Sequence, residues 1–270
     1  MTTSTPLLHV DGVTVRFGGL SAVDNVSFDV HPGELLGLIG PNGAGKTTMM
    51  RSITGVVRPT EGSVFLAGEN LNELPIHKRI QKGLALSQQL VKPFREISVL
   101  ENVALAAGAG RTRSPLKALM HVSQREENEI GNGMLARVGI AGYADQMPGI
   151  QPLGILKRME MARALALKPK LLLLDEPLAG LNSKEANALA STIADINRQG
   201  MTIILIEHNL GEVMRICNRL VVLDNGRKIA SGAPREVMEQ PAVRAAYLGS
   251  DTIAEAQSGN AVETAGGTHA

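Results

Sequence analysis

The chain begins with a stretch in which apolar and polar side chains alternate. The apolar positions are Leu8, Val10, Val13, Val15, Phe17, Ala22, Val23, Val26 and Phe28. Turn residues interrupt them at Asp11-Gly12 and at Gly18-Gly19. A period of two between turns is typical of short, half-buried strands. The pattern predicts a small antiparallel sheet at the start of the fold.

A strand, a loop and a helix come next. The segment Glu34–Ile39 is apolar after its first residue and predicts a buried strand. A glycine-rich run follows it and leads into a helix whose apolar members include Met49 and Ile53. The segments Gly62–Gly68 and Gly83–Ser87 predict two more short strands.

From about Val99 to Ala166 the apolar residues recur at helical spacing, as at Met134, Leu135 and Val138. We expect an inserted helical subdomain over about residues 99–166. Its middle, roughly residues 108–133, mixes basic and polar side chains and predicts a solvated loop or surface helix rather than a binding patch.

Strongly apolar strands return after this region, at Lys170–Leu174, Thr202–Ile206 and Arg219–Leu223. A helix over about Ser183–Arg198 separates the first two. Strands that alternate with helices indicate a mostly parallel sheet. The predicted fold class is therefore α/β, with a mostly parallel core sheet, an N-terminal antiparallel sheet and inserted helices.

Composition argues against several classes of protein. The 27 basic residues are balanced by 26 acidic ones, unlike the strongly basic surface of a nucleic-acid binder, so we expect no nucleic-acid partner. A single cysteine, Cys217, rules out an internal disulfide and indicates a reducing compartment. Apolar neighbours favour a packing role for it over a reactive thiol. Aromatic residues make up only 2%, so the core must be aliphatic.

The ends of the chain and its apolar runs indicate a protein that reaches a membrane only through a partner. Residues 1–6 lack the basic start and long apolar stretch of a signal peptide. Runs such as Leu171–Leu174 are far shorter than the ~18 residues needed to span a bilayer. Residues 251–270 carry small and polar side chains, and we expect this tail to be disordered.

A phosphate-binding motif lies between the predicted strand and helix. Residues 40–47 read Gly-Pro-Asn-Gly-Ala-Gly-Lys-Thr and match G-x-x-x-x-G-K-[ST]. Backbone N–H groups of such a loop and the N-terminus of the next helix form a nest for phosphates. Lys46 would reach the β and γ oxygens, and the Thr47 hydroxyl would bind Mg²⁺. The residues that we assign to the nucleotide here are Gly40, Pro41, Asn42, Gly43, Ala44, Gly45, Lys46, Thr47 and Thr48.

Two acids end the apolar strand at residues 171–174. Charged side chains are costly there unless they are paired or bound to a metal, and a phosphate loop on the same sheet favours function over helix capping. We expect Asp175 to complete the magnesium shell. Glu176, pointing to the other side of the pleat, would act as general base on the attacking water.

At this point the sequence resembles the ATP-binding cassettes of ABC proteins, over essentially residues 6–249. Further motifs of that family occur in order after the phosphate loop: a glutamine at Gln89, then Ala179-Gly180-Leu181-Asn182 after the acid pair, and His208 after the next strand. The resemblance implies a cassette domain over 6–249, with 250–270 as a tail, that binds ATP and Mg²⁺ and hydrolyses ATP.

Three site assignments rest on this resemblance. Gln89 would contact Mg²⁺ or the attacking water, although Gln88 is adjacent. His208 would donate to the γ-phosphate, the alternative being a structural histidine. Phe17 matches the position where the family stacks an aromatic ring on adenine, and core packing is its alternative.

One motif departs from the family pattern. The signature, commonly L-S-G-G-Q, should precede a helix over Lys157–Ala166, but residues 151–155 read Gln-Pro-Leu-Gly-Ile and keep only Gly154. In the family this loop contacts the γ-phosphate held by the opposite cassette. Gly154 and the helix N-terminus could still supply amide groups. We therefore expect a second cassette as partner, a heterodimer being favoured and a homodimer possible.

Within the family, the runs at residues 17–20, 22–24, 37–42, 179–182 and 245–249 are similar to ATP-binding subunits of branched-chain amino acid importers. That implies two membrane permeases, a periplasmic substrate-binding protein acting indirectly, and a peripheral position on the cytoplasmic face of the inner membrane. The alternatives are a lipopolysaccharide-export cassette and a soluble cassette ATPase outside transport. The single set of motifs and the lack of sustained heptads argue against the soluble class.

Overall fold

The computed structural model describes residues 5–87, 92–108 and 124–247. Its strands are β1 (Leu8–Phe17), β2 (Leu20–Val30), β3 (Leu35–Ile39), β4 (Glu61–Leu66), β5 (Glu69–Asn70), β6 (Leu84–Ser87), β7 (Leu171–Asp175), β8 (Thr202–Ile206), β9 (Arg219–Asp224) and β10 (Arg227–Gly232). Gln89, residues 109–123 and the tail 250–270 lie outside the described residues.

The strands form two sheets. One has the order β2-β1-β4-β5 and is antiparallel throughout. The other has the order β10-β9-β3-β8-β7-β6, with parallel pairing except at the β10–β9 edge. Both the antiparallel start and the mostly parallel α/β core predicted from the sequence are confirmed.

The helices lie between and after these strands. They are α1 (Lys46–Thr54), α2 (Ile76–Lys82), α3 (Val99–Gly108), α4 (Gln124–Arg137), α5 (Leu153–Ala166), α6 (Ser183–Arg198), α7 (Leu210–Ile216) and α8 (Pro234–Glu239). Helices α3, α4 and α5 follow β6 and precede β7, and they pack against one another. Helical structure thus occupies the region where the sequence predicted it, and the domain limits 6–249 and 99–166 stay predictions. No helix among the described residues is long and apolar enough to cross a membrane.

The core sheet is buried on both faces, which is why its strands are continuous apolar runs. Leu36 and Leu38 face the antiparallel sheet and α1 in one hydrophobic cluster. Leu35 and Ile39 face a second cluster built with α3 to α6. Cys217 belongs to this second cluster, where it is 8% exposed and burial raises its thiol pKa to about 12. It is a packing residue, as the sequence indicated.

Two features differ from the sequence predictions. Strands β5 and β10 and helices α2, α7 and α8 were not predicted. Strand β10 is an edge strand with an exposed, polar start. Helix α5 begins at Leu153, four positions before the predicted start at Lys157. The apolar Ile155 and Leu156 pack against the core and continue the helix toward its N-cap, Pro152. Gly154 therefore lies within the first turn of α5 rather than in a loop before it.

Candidate functional site

The phosphate loop joins β3 to α1 and has a backbone that only glycine adopts easily. Gly40 has φ 147°, and a Cβ added there would lie 2.0 Å from the carbonyl oxygen of Leu223. Gly45 caps α1 with φ 100°, and its added Cβ would lie 2.5 Å from the carbonyl oxygen of Ala22. The loop is thus pressed against β2 and the end of β9. Gly40 and Gly45 are required by these close approaches as well as by their left-handed backbone.

Lys46 is folded back over the loop. Its Nζ donates to the carbonyl oxygens of Gly40 at 2.7 Å and Pro41 at 2.9 Å. The side chain is 8% exposed. Burial lowers the pKa of its amine, while the carboxylates of Glu176 and Asp175 raise it in part. The amine is a charged donor at the mouth of the loop, and its contact with β and γ phosphates stays a prediction.

The loop opens into a pocket of about 190 Å³. Its lining residues are Ala22, Asn42, Gly43, Ala44, Gly45, Lys46, Thr47, Thr48 and Glu176. The structure therefore brings Glu176, which is far away in sequence, to the phosphate loop. The other described residues that the sequence assigned to the site do not line this pocket; they are Phe17, Gly40, Pro41, Gly154, Asp175 and His208.

The acid pair ends β7, but not with the geometry expected from a strand pleat. Asp175 is the last residue of the strand, and Glu176 lies beyond it with a left-handed φ of 48°. The alternation of the strand pleat therefore does not extend to Glu176. Its backbone N–H donates to the carbonyl oxygen of Ile206 at 2.9 Å, which fixes the turn. The turn, not the pleat, directs Glu176 toward the loop.

Asp175 is an acid in a partly desolvated position. Burial raises the pKa of its carboxyl group, and the nearby carboxylate of Glu176 raises it further. The cations of Arg51 and Lys46 lower it in part. A carboxylate of this kind gains from a bound cation, which is the physical basis for expecting a metal beside it.

His208 follows β8 and is largely exposed, with 64% of its side chain accessible. Its Nδ1 lies 4.0 Å from Oε2 of Glu207. Glu207 itself is 1% exposed, and its Oε1 accepts a hydrogen bond from the backbone N–H of Leu178 at 2.6 Å. Burial raises the pKa of Glu207, and the hydrogen bond from Leu178 lowers it in part. Glu207 was not among the predicted site residues, although an acid directly after the strongly apolar strand β8 was a visible signal.

Phe17 and Gly154 lie at two other places on the surface. Phe17 ends β1 and is 54% exposed, so its ring is not part of the core. It belongs to the same β1–β2 hairpin that brings Ala22 to the pocket. A Cβ added at Gly154 would lie 3.6 Å from Oε1 of Glu185, an ordinary contact. Nothing within the described chain therefore requires glycine at position 154.

Two further residues support the loop and were also missed. Arg79 is 1% exposed and donates to the carbonyl oxygens of Ser52 at 2.7 Å and Ile53 at 2.8 Å, at the C-terminal end of α1. Tyr247 lies in the C-terminal segment, where burial raises its pKa to about 12 and a hydrogen bond with the backbone of Gly40 lowers it in part. Both residues hold the phosphate loop and its helix from outside the motif.

Comparison with known families decides what this arrangement is. The family model described as ABC transporter matches residues 23–179, which include the phosphate loop, the acid pair and the helices between them. The chain belongs to the ATP-binding cassette family of ABC transporters. It is an ATP-binding ATPase. The resemblance of the sequence to the ATP-binding cassettes of ABC proteins is thus confirmed. A second model, described as branched-chain amino acid ATP-binding cassette transporter, matches residues 227–252.

Curated relatives of this cassette extend over nearly its whole length. The high-affinity branched-chain amino acid transport ATP-binding protein BraF of Pseudomonas aeruginosa is 38% identical over 91% of this chain and 99% of its own. LivG of Escherichia coli, with the same description, is 38% identical over the same shares. The lipopolysaccharide export system ATP-binding protein LptB of Haemophilus influenzae is 31% identical over 90% of this chain and 97% of its own. The cassette is thus homologous to importer ATP-binding subunits, and export cassettes are weaker matches.

A solved structure has the same fold. It is an ATP-binding cassette of an ABC transporter in its ADP conformation, with a TM-score of 0.81, 29% identity, and coverage of 91% of this chain and 100% of that one.

Proposed function

We propose that this cassette hydrolyses MgATP to drive the import of branched-chain amino acids, or related small molecules, through partner permeases. The observation that carries the proposal is the match of residues 227–252 to the C-terminal segment of branched-chain amino acid cassettes. The relatives at 38% identity support the same substrate class.

The nucleotide binds with its phosphates in the loop over residues 40–48. Backbone N–H groups of the loop and the N-terminus of α1 face the phosphates, and Lys46 exchanges its two loop carbonyls for phosphate oxygens. The residues present suit magnesium, because Thr47 offers a hydroxyl and Asp175 a carboxylate, the oxygen donors that this ion prefers. Held by these two residues, the ion would supply charge neutralisation to the phosphates. Gln89 would add a ligand, and Phe17, exposed at the hairpin, would stack on adenine.

Glu176 is the proposed general base. It lines the pocket beside the loop, so its carboxylate can accept the proton of a water aligned with the γ-phosphate. His208 is on the neighbouring strand end and would donate to the γ-phosphate after the site closes. Its side chain is exposed, which leaves it free to rotate toward a bound nucleotide.

A second cassette completes the site. Gly154 lies in the first turn of α5, whose N-cap Pro152 makes no side-chain hydrogen bond to the helix N-terminus. The apolar Ile150, 82% exposed, and Leu153, 42% exposed, lie beside it. A partner cassette would cover these side chains and present its nucleotide to α5. Because residues 151–155 keep only the glycine of the signature, we favour a different cassette as this partner.

The remaining partners follow from the transport role. Two permeases in the membrane hold the pair of cassettes at the cytoplasmic face, and a periplasmic binding protein selects the substrate. The chain is thus peripheral to the inner membrane.

The test is complementation of a strain that lacks its own branched-chain importer cassettes. Expression of this chain with its permeases, partner cassette and binding protein should restore uptake of labelled leucine, and the Glu176→Gln form should not. No uptake of leucine, isoleucine or valine above background by the wild-type assembly would contradict the substrate class. Transport of lipopolysaccharide by the same assembly would favour the weaker, export-type relationship.

A further inference from the structure

The proposed general base has a backbone conformation that needs support from outside its own segment. Glu176 is not a glycine, yet its φ is 48°. A left-handed conformation is strained for a non-glycine residue and persists only where surrounding contacts hold it. Its N–H is held by β8 through the carbonyl of Ile206. The carbonyl group of Glu176 needs a contact of its own if the residue is to stay in this conformation.

Lys157 provides that contact. It lies on α5, one turn after Gly154, and its Nζ donates to the backbone carbonyl of Glu176 at 3.1 Å. The side chain is only 7% exposed, although lysine is rarely buried without a specific partner. Burial lowers the pKa of its amine, and the carboxylates of Glu207 and Glu176 raise it in part. The buried ammonium group of Lys157 therefore contacts the backbone carbonyl of Glu176, the proposed base.

The segment after Glu176 is held in the same way. The buried carboxylate of Glu207 accepts the backbone N–H of Leu178 at 2.6 Å. Further along, the side chain of Asn182 caps α6 by accepting the N–H of Glu185 at 2.9 Å. Three contacts thus hold residues 176–178. Ile206 of β8 accepts the N–H of Glu176, Lys157 of α5 donates to the Glu176 carbonyl, and Glu207, directly after β8, accepts the N–H of Leu178.

We propose that Lys157 is a positioning residue that holds the backbone of Glu176 in the orientation from which its carboxylate faces the phosphate loop. Lys157 does not touch the reacting atoms. It acts through the base, and since it lies on α5, it links the helix that carries Gly154 to the orientation of Glu176. This inference rests on the proposed role of Glu176 as general base.

The test replaces the ammonium by an apolar side chain of similar length. Lys157→Met should lower kcat about ten- to a hundredfold, the range expected for loss of one hydrogen bond from a charged donor. KM and the affinity for MgATP should change less than about threefold, because Lys157 does not line the phosphate pocket. Lys157→Arg keeps a cationic donor and should recover most of the lost kcat. Lys78→Met, on the exposed surface of α2, is the matched control and should behave as the wild type.

A double-mutant cycle distinguishes positioning from packing. If Lys157 acts through the carboxylate of Glu176, then adding Lys157→Met to Glu176→Gln should cause no further loss of turnover. The same proportional loss in both backgrounds would overturn the proposal, and so would unchanged kcat in Lys157→Met. A loss of ATP affinity and thermal stability in parallel with kcat, without recovery in Lys157→Arg, would also overturn it and assign Lys157 to packing.

The outcomes separate this inference from the proposed function. Wild-type turnover in Glu176→Gln alone would remove the base assignment itself. Slow turnover in Glu176→Gln with normal turnover in Lys157→Met would leave the base in place and remove only the positioning role. If Lys157→Met does not fold, Lys157→Gln serves instead. Its shorter amide donor should give an intermediate loss of kcat, and no loss would contradict the proposal.

Discussion

Replacement of Lys46 by alanine tests the phosphate loop most sharply. In the structure the Nζ of Lys46 makes hydrogen bonds of 2.7 and 2.9 Å to the carbonyl oxygens of Gly40 and Pro41. We expect these two bonds to be exchanged for bonds to phosphate oxygens when ATP binds. The alanine variant loses both sets, but only the second set contributes to binding.

The size of the effect follows from that exchange. Hydrogen bonds from a charged donor contribute about 1.5–3 kcal/mol each, so two lost phosphate contacts should weaken MgATP binding by roughly a hundredfold to ten-thousandfold. The free energy of unfolding of the Lys46→Ala variant without nucleotide should change much less. The variant loses the two hydrogen bonds to the loop, but it also no longer buries an ammonium group, which in the wild type is only 8% exposed.

The measurement is an equilibrium titration of the purified chain with MgATP, beside a thermal unfolding curve. Lys78→Ala, an exposed lysine on α2, is the control and should bind as the wild type does. A folded Lys46→Ala variant with an affinity within about threefold of the wild type would refute the assignment of this side chain to the phosphates.

Three further predictions concern the phosphate loop, the end of α1 and the buried core. Gly45→Ala should lower both ATP affinity and stability by about 1–3 kcal/mol, because the φ of Gly45 is 100° and the added Cβ would meet the Ala22 carbonyl. Gly142→Ala is the control, since a Cβ there would have no neighbour within 4 Å; a Gly45→Ala variant that melts and binds ATP as the wild type does would contradict this prediction. Arg79→Ala should lower the free energy of unfolding by about 3 kcal/mol in denaturant titrations, because buried carbonyls at the end of α1 lose their hydrogen-bond donor. A change near zero would show that water replaces the guanidinium group as donor. Burial raises the thiol pKa of Cys217 to about 12, so this thiol should resist alkylation at pH 9 until the chain unfolds; rapid labelling of the native chain would contradict its burial. The free energy of unfolding should fall as the pH rises through the lower pKa of the unfolded thiol, because the unfolded thiol then loses its proton more readily than the buried one.

The parts of the site that could be predicted are those encoded locally. The apolar run before Gly40, the loop glycines and the helical spacing after Lys46 lie within one short stretch, so their pattern specifies strand, loop and helix together. Asp175 and Glu176 were recognisable for a similar reason, because two acids directly follow an apolar strand.

The contacts that hold the site could not be predicted, because they join distant parts of the chain. Lys157 reaches Glu176 from another element, and Glu207 reaches Leu178 across 29 positions. Arg79 caps a helix 26 and 27 positions away. No spacing rule predicts which buried charge will meet which carbonyl. The left-handed turn at Glu176 was missed for the same reason, since its supports come from β8 and α5.

The proposed function requires that ATP hydrolysis with Glu176 as general base powers amino acid uptake. The most direct test is proteoliposomes containing the permeases, the partner cassette and this chain, with binding protein outside and MgATP inside the lumen that the cassettes face. Phosphate release and labelled leucine transport are measured together. We expect the Glu176→Gln assembly to keep MgATP bound but to lose about a hundredfold or more in both rates. Leucine transport at the wild-type rate by the Glu176→Gln assembly would contradict it.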